Sequence, residues 1–427
     1  MSKTLTLKKK PAPAPAPEAV KKAAPRPAKK PVAQPKKPPE PVVPKSDIEA
    51  FYAPCPRGLA GVLADELREM GAARVEPQEA GVAFEGKMAL AYRANLESRI
   101  ASRILWRVAD FDYRNEMDIF EGAKKLAWHR YFGISQTFKV ETNAHRAPVK
   151  SLDFVTLKVK DAIADTFRAA IGKRPNVETR EPDHRIHVFL DPKKCALYVD
   201  TSGESLFKRG RRDHVGEAPL KKNLAAGILR LAGWKPGMAL LDPMCGSGTF
   251  LVEAAEMAQG IAAGHARKFA FEKLNGFDQL AWSRMKDEAR LKERPASFLP
   301  IFGSELYGRT LDLARENLID AGMESAVQLK QANLLDLSAP AASGIIVTNP
   351  PYGVRLGEKE QLAAFYPKLG DLLKRKFAGW VVHIFSGDPE IANLIGLKAT
   401  KRTVLFNGAI ECRLYEYRMV AGANRDQ

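Results

Sequence analysis

The stretch Leu240-Leu241-Asp242-Pro243-Met244-Cys245-Gly246-Ser247-Gly248-Thr249-Phe250 limits the possible fold more than any other. An apolar strand enters a glycine-rich turn, and the spacing of Leu251, Val252, Ala254 and Ala255 starts a helix directly after it. Strand, tight turn and helix in that order form the opening unit of a parallel sheet covered by helices. Gly246 and Gly248 strip side chains from the turn, so bare backbone can approach a nucleotide-like ligand at the mouth of the sheet.

The same alternation continues along the chain. A helix over Leu220–Ala232 stops at Gly233, and strands are predicted at Met238–Asp242, Leu299–Ser304, Val327–Gln331, Gly344–Asn349 and Trp380–Phe385. Leu311, Leu313, Ala314, Leu318 and Ile319 mark a helix ending near Gly322, and Thr403–Phe406 with Leu414–Val420 predict a closing antiparallel pair. This is a doubly wound, Rossmann-like α/β domain, placed at residues 219–420.

Residues before Gly203 read as α+β. Leu59, Val62, Leu63, Leu67 and Met70 fall at helical spacing, with Gly71 as the stop. Short extended pieces follow at Arg74–Pro77 and Gly81–Phe84. A second helix is expected from Leu90 to about Leu105, burying Leu96, Ile100 and Ile104; Val155, Val159, Ile163 and Phe167 mark a third. Ile186, Val188 and Leu190 alternate into a turn at Asp191–Lys194, predicting a hairpin with Cys195–Asp200.

A chain of 427 residues with net charge +17 suits two or three domains and a nucleic-acid partner. Residues 1–45 alternate Pro, Ala and Lys and hold twelve basic residues against two acidic ones. They are expected to stay disordered, as a solubilising tail or as a mobile arm adding salt-sensitive RNA affinity. Cys55, Cys195, Cys245 and Cys412 show no CxxC spacing. That speaks against a zinc site or disulfide framework and suits a reducing cytoplasm. No apolar run approaches membrane-spanning length.

A second loop carries chemistry. Ile345-Ile346-Val347-Thr348 runs into Asn349-Pro350-Pro351-Tyr352-Gly353. An exocyclic amine on a base is a poor nucleophile because its lone pair is delocalised into the ring. The Asn349 side-chain oxygen and the Pro350 carbonyl can accept from such an amine, and proline keeps the loop rigid and free of a competing N–H. Tyr352 can stack on the base. With the glycine turn, this loop predicts methyl transfer from S-adenosylmethionine to a nucleobase amine held outside any helix. Asp242 ends the first strand, placed to accept from the ligand, and Glu305 ends the next, where an acidic residue meets ribose hydroxyls. Their separation is lengthened by a charged insert around Gly260–Pro295 that a plain dinucleotide-binding unit would not predict.

Other candidates have plainer readings. Cys245 is expected to pack or touch the cofactor rather than act as nucleophile. His184 and His187 lack matching ligands and read as core or surface residues, so no metal is expected. Arg99, Arg103 and Arg107 recur every fourth residue and read as a solvated helix face ahead of an RNA track. Lys208, Arg209, Arg211 and Arg212 read as contacts to RNA phosphate.

These residues resemble a known family, the bacterial THUMP-containing 23S rRNA guanine-N2 methyltransferases of the class I S-adenosylmethionine-dependent type. The similarity runs through Cys55-Pro56-Arg57-Gly58-Leu59, Lys158–Ile163, Arg174-Pro175-Asn176-Val177, Ala218-Pro219-Leu220-Lys221, Leu241–Phe250, Gly303-Ser304-Glu305 and Asn349–Gly353. It implies a ferredoxin-like segment at 46–95, a THUMP RNA-binding domain at 96–203 and a basic linker at 204–218. It also implies a cofactor site of Asp242, Cys245, Gly246, Gly248, Thr249, Glu305 and Asn333, and a guanine site of Asn349, Pro350 and Tyr352. Glu305 and Asn333 each stand where the family pattern commonly has Asp. Some members carry a second methyltransferase domain, and that activity is expected here on another protein. The implied substrate is 23S rRNA or an assembling large ribosomal subunit, in the cytoplasm. Guanine in tRNA, adenine N6, and a non-catalytic ribosome-assembly role are the alternatives.

Overall fold

A computed structural model describes residues 48–209, 220–295, 297–350 and 358–420. The tail, Arg211, Arg212, Pro351, Tyr352 and Gly353 lie outside the described residues.

The front half contains β1 (Glu49–Pro54), α1 (Ala60–Glu69), β2 (Ala73–Gln78), β3 (Gly81–Gly86), α2 (Met88–Glu97), β4 (Leu105–Asp112), α3 (Glu116–Lys124), β5 (Phe138–Ala144), α4 (Leu152–Ile171), β6 (His184–Leu190) and β7 (Lys194–Asp200). They build one seven-stranded sheet in the order β2-β3-β1-β4-β7-β6-β5. Only β5 and β6 run parallel, and α4 lies on the connection between them. The helix of Leu59–Met70, the third helix and the hairpin stand as the sequence predicted, with Gly71 at φ +92°.

The second helix does not. It stops at Glu97, and Ser98 has extended backbone. The Ser98 hydroxyl donates to the buried Glu66 carboxylate at 2.6 Å and the Arg99 N–H donates to its other oxygen at 3.0 Å. Local polar partners therefore replace continued helix. Ile100 and Ile104 are buried all the same, in the segment leading to β4, so their four-residue spacing is not a helical stripe.

The second half contains α5 (Lys222–Leu231), β8 (Leu240–Asp242), α6 (Thr249–Ala258), α7 (Gln279–Leu291), β9 (Ile301–Glu305), α8 (Gly308–Asp320), β10 (Gln328–Gln331), β11 (Gly344–Thr348), α9 (Glu358–Lys376), β12 (Trp380–Ser386), α10 (Ile391–Leu394), β13 (Lys401–Asn407) and β14 (Ile410–Arg418). The sheet order is β10-β9-β8-β11-β12-β14-β13. β10, β9, β8, β11 and β12 are parallel, and β14 pairs antiparallel with both β12 and β13. Connections after β8 move outward through β9 to β10, then cross back to β11 beside β8. The switch point of this doubly wound sheet thus lies between β8 and β11.

The insert between α6 and β9 holds the halves together. Phe269, Phe271 and Trp282 are buried, and the Tyr92 ring of α2 stacks on Phe271 at 4.4 Å. Its backbone also bonds the front half, Gly264 N–H to the Leu96 carbonyl at 2.7 Å and Asn275 N–H to the Tyr131 carbonyl at 2.9 Å. At the other side of the interface, Gly58 (φ +91°) lies against β13, where an added Cβ would sit 2.4 Å from the Val404 carbonyl oxygen. The Arg57 guanidinium covers the Phe406 ring at 4.1 Å. Among the described residues no helix is long and apolar enough to cross a membrane.

Candidate active site

Ligands of open parallel sheets bind beyond the strands' carboxyl ends at the switch point. Two sequence-predicted loops meet that condition here. The glycine turn leaves the carboxyl end of β8, and Asn349-Pro350 leaves the carboxyl end of β11, its hydrogen-bonded neighbour.

The turn is fixed from several directions. Cys245 N–H donates to the Ser304 carbonyl of β9 at 2.9 Å, and the Ser304 hydroxyl donates to the Pro243 carbonyl at 3.0 Å. Asn317 of α8 donates to the Ser247 carbonyl at 2.9 Å. Gly246 and Gly248 have φ of +54° and +76°, in the region where a side chain is strained. They differ in surroundings. An added Cβ at Gly248 would lie 3.1 Å from the Ala314 Cβ, whereas one at Gly246 would enter open space. Gly248 caps α6, so Thr249 opens that helix and its unsatisfied N–H groups face the turn.

Two carboxylates border this space. Asp242 is buried, and burial pushes its carboxyl up to about 7, with the Glu305 carboxylate adding to the rise against the Thr348 hydroxyl and Met244 N–H. Glu305 accepts from the Gly246 N–H at 3.1 Å and from the Leu306 and Tyr307 N–H groups at 3.0 and 3.3 Å. Among the described residues neither forms an ion pair, so the pair suits a ligand rich in N–H or O–H donors. Asn333, exposed and just past β10, uses its side-chain oxygen to accept from the Leu335 N–H at 3.0 Å. The adjacent Ala332 N–H donates to the Glu305 carbonyl, which brings Asn333 to the Glu305 side of the turn. Burial, with Asp242 and Glu305 close by, pushes the Cys245 thiol well above its ordinary pKa, so it stays protonated and is no nucleophile. Pro350 is buried and Asn349 half-buried.

Other predicted residues fall elsewhere. Arg99, Arg103 and Arg107 share no helix face. Arg99 is buried against Glu253 and Glu256, Arg103 pairs with the buried Asp200, and Arg107 lies on β4, 3.7 Å from Asp110. Arg209 does not face solvent for RNA, because its guanidinium is buried on Glu253. Lys208 is exposed beside Glu204. His184 is fully buried against the Phe132 ring at 4.9 Å, and burial lowers its pKa to about 4. His187 lies between Glu141 and Asp200. No group of three or more potential metal ligands occurs among the described residues. Sequence reasoning missed Glu253, whose acidic character within an apolar helix was the available signal.

The RMKL-like methyltransferase domain matches residues 209–416, the THUMP domain 113–200 and the RlmL ferredoxin-like domain 50–105. A putative RNA methyltransferase, slr0064, from Synechocystis is 37% identical, covering 86% of this chain and 96% of the relative. The chain belongs to the RMKL-like methyltransferase family. Ribosomal RNA large subunit methyltransferase K/L from Photobacterium profundum is 40% identical over 87% of this chain but only 53% of the relative. The chain thus spans about half the length of the K/L relatives it matches. Among solved structures, SMU.472, a putative methyltransferase complexed with SAH, superposes with a TM-score of 0.80 at 30% identity, covering 88% of this chain and 99% of that one. A predicted N6-adenine-specific DNA methylase from Listeria monocytogenes also reaches 0.80, at 28% identity, covering 87% of this chain and 96% of that one.

Proposed function

We propose that this protein is an S-adenosylmethionine-dependent RNA methyltransferase forming N2-methylguanine, acting in the cytoplasm on 23S rRNA or an assembling large ribosomal subunit. One observation carries the reading: the glycine turn and the Asn349-Pro350 end of β11 leave neighbouring strands on the same edge of the sheet, at its switch point. The K/L name of the long relatives supports the ribosomal substrate, and the matched THUMP segment supports RNA.

When bound, S-adenosylmethionine supplies an electrophilic methyl group on a sulfonium. Asp242 and Glu305 would accept from its ammonium and ribose hydroxyls, Asn333 would approach the adenine, Gly246 and Gly248 would let it come close to bare backbone, and Thr249 at the start of α6 would offer its backbone N–H to the carboxylate. Cys245 packs beside it as a neutral thiol. Asn349 and Pro350 grip the guanine amine through oxygen acceptors, with Tyr352 as the stacking ring. Catalysis is mostly positioning, and the amine proton leaves after the methyl arrives, so no strong base is required.

Adenine N6 is the second reading, favoured by the name of the Listeria monocytogenes methylase. Nucleoside mass analysis of ribosomal RNA from a strain lacking this gene separates the two. Loss of one N2-methylguanine is expected; loss of N6-methyladenine with intact N2-methylguanine would overturn the assignment.

A further inference from the structure

Helix α6 carries a second attachment besides the glycine turn. Thr249 begins it, and one turn later Glu253 is completely buried. Two arginines from outside the catalytic sheet converge there. Arg209 Nη1 lies 2.6 Å from both Glu253 oxygens. Arg99 Nη1, from the segment linking α2 to β4, donates to Glu253 and Glu256 at 3.1 Å each. The arginines are themselves interlocked, since Arg209 donates to the Arg99 carbonyl and Arg99 donates to the Ile261 carbonyl. Burial works against the Arg99 charge, but the Glu253 and Glu256 carboxylates overcome it and hold the guanidinium above its ordinary pKa. Behind this cluster, Glu66 of α1 accepts from the Arg99 N–H and lies 3.7 Å from Arg230 of α5.

Such a cluster is a poor device for mere adhesion. Stripping water from four charged groups costs several kcal/mol per ion, and apolar side chains of equal volume often hold an interface as well or better. What guanidinium forks add is direction, because they fix rotation and register where apolar surfaces slide. The cluster ties the front half to the same helix whose first residue borders the cofactor turn.

We propose that Glu253 is a positioning residue: through Arg99 and Arg209 it locks the front half in register with α6, so that RNA held in front presents its guanine at Asn349-Pro350, beside the cofactor turn. This rests on the methyltransferase reading above.

The test is Glu253→Gln in the full chain. On an rRNA fragment long enough to engage the front half, kcat is expected to fall tenfold or more, with KM for RNA and S-adenosylmethionine affinity within twofold of wild type. On a short single-stranded oligonucleotide carrying the same guanine, variant and wild type should match. Equal kcat on the long RNA, or equal losses on both substrates, would overturn the proposal. Arg99→Lys keeps the charge but loses the fork, and carries the same test if Glu253→Gln does not fold. A readout independent of activity uses spin labels at two exposed positions, Leu157→Cys on α4 and Ile319→Cys on α8. Pulsed EPR should give a narrow distance distribution that broadens with Glu253→Gln; unchanged width refutes the register role. A wild-type protein inactive on every RNA would instead remove the methyltransferase reading, leaving the EPR result to judge the positioning role alone.

Discussion

Replacing Asp242 by Asn should make the ligand-free protein more stable while spoiling the cofactor site. The unfolded chain ionises this residue near 3.8, and in the fold burial raises that value to about 7. Between those values the folded state keeps a proton that the unfolded state has lost. The residue's contribution to stability is complete below 3.8 and drains away as pH climbs through 7. Each unit of pKa difference corresponds to about 1.4 kcal/mol, and the folded group is half ionised at pH 7, so wild type should lose about 2 kcal/mol relative to Asp242→Asn between pH 5 and pH 7 and level off by pH 8. Urea unfolding of both proteins at several pH values, without cofactor, measures the widening gap. Binding should run in the opposite sense. A ligand with hydrogen-bond donors rewards the ionised carboxyl, whose population rises from roughly one in eleven at pH 6 to ten in eleven at pH 8. S-adenosylmethionine affinity should therefore strengthen about tenfold over that range in wild type and stay flat in Asp242→Asn by calorimetry. A constant stability gap across pH, or a variant that keeps the slope, would refute the argument.

Asn349→Ala should reduce methyl transfer at least a hundredfold in a tritium-transfer assay while leaving RNA affinity within twofold; retained methylation would sink the amine-grip assignment. Gly246→Ala should fold with a loss of about 1 kcal/mol but bind cofactor at least tenfold more weakly, because its Cβ enters the open side of the turn. Gly248→Ala should lose more stability, about 2 kcal/mol, since its Cβ also presses on Ala314; equal melting curves for the two would contradict this. Gly58→Ala should lower the melting temperature by several degrees, its Cβ displacing β13 from the front half. Deleting residues 1–45 should weaken RNA binding chiefly at low salt, and parallel salt slopes with and without the segment would dismiss the arm.

In the catalytic sheet β8, β11 and β12 were readable from sequence because each is a short, largely apolar run closed by a polar turn. The strand expected from Met238 begins only at Leu240, since Met238 N–H is turned back to the Lys235 carbonyl. The front sheet was harder. β4 (LWRVADFD) directly follows a false helical spacing, and its polar positions face outward within a sheet that pairs on both sides. Arg99 and Arg209 looked like surface charge because the acid that buries them, Glu253, stands more than forty residues from either, and its place in an apolar helix does not say which cations it meets. Local pattern gives the strands and the turn; which charge is buried depends on contacts between halves.

Residues 260–295 interrupt the catalytic domain in sequence, yet their aromatic side chains and backbone bonds engage the front half. Anyone building a chimera with the front half of a relative must therefore graft that internal stretch along with it. A cut made at the apparent border alone would leave Tyr92 and Phe271 facing strangers, and the hybrid would be mismatched where its two parents meet.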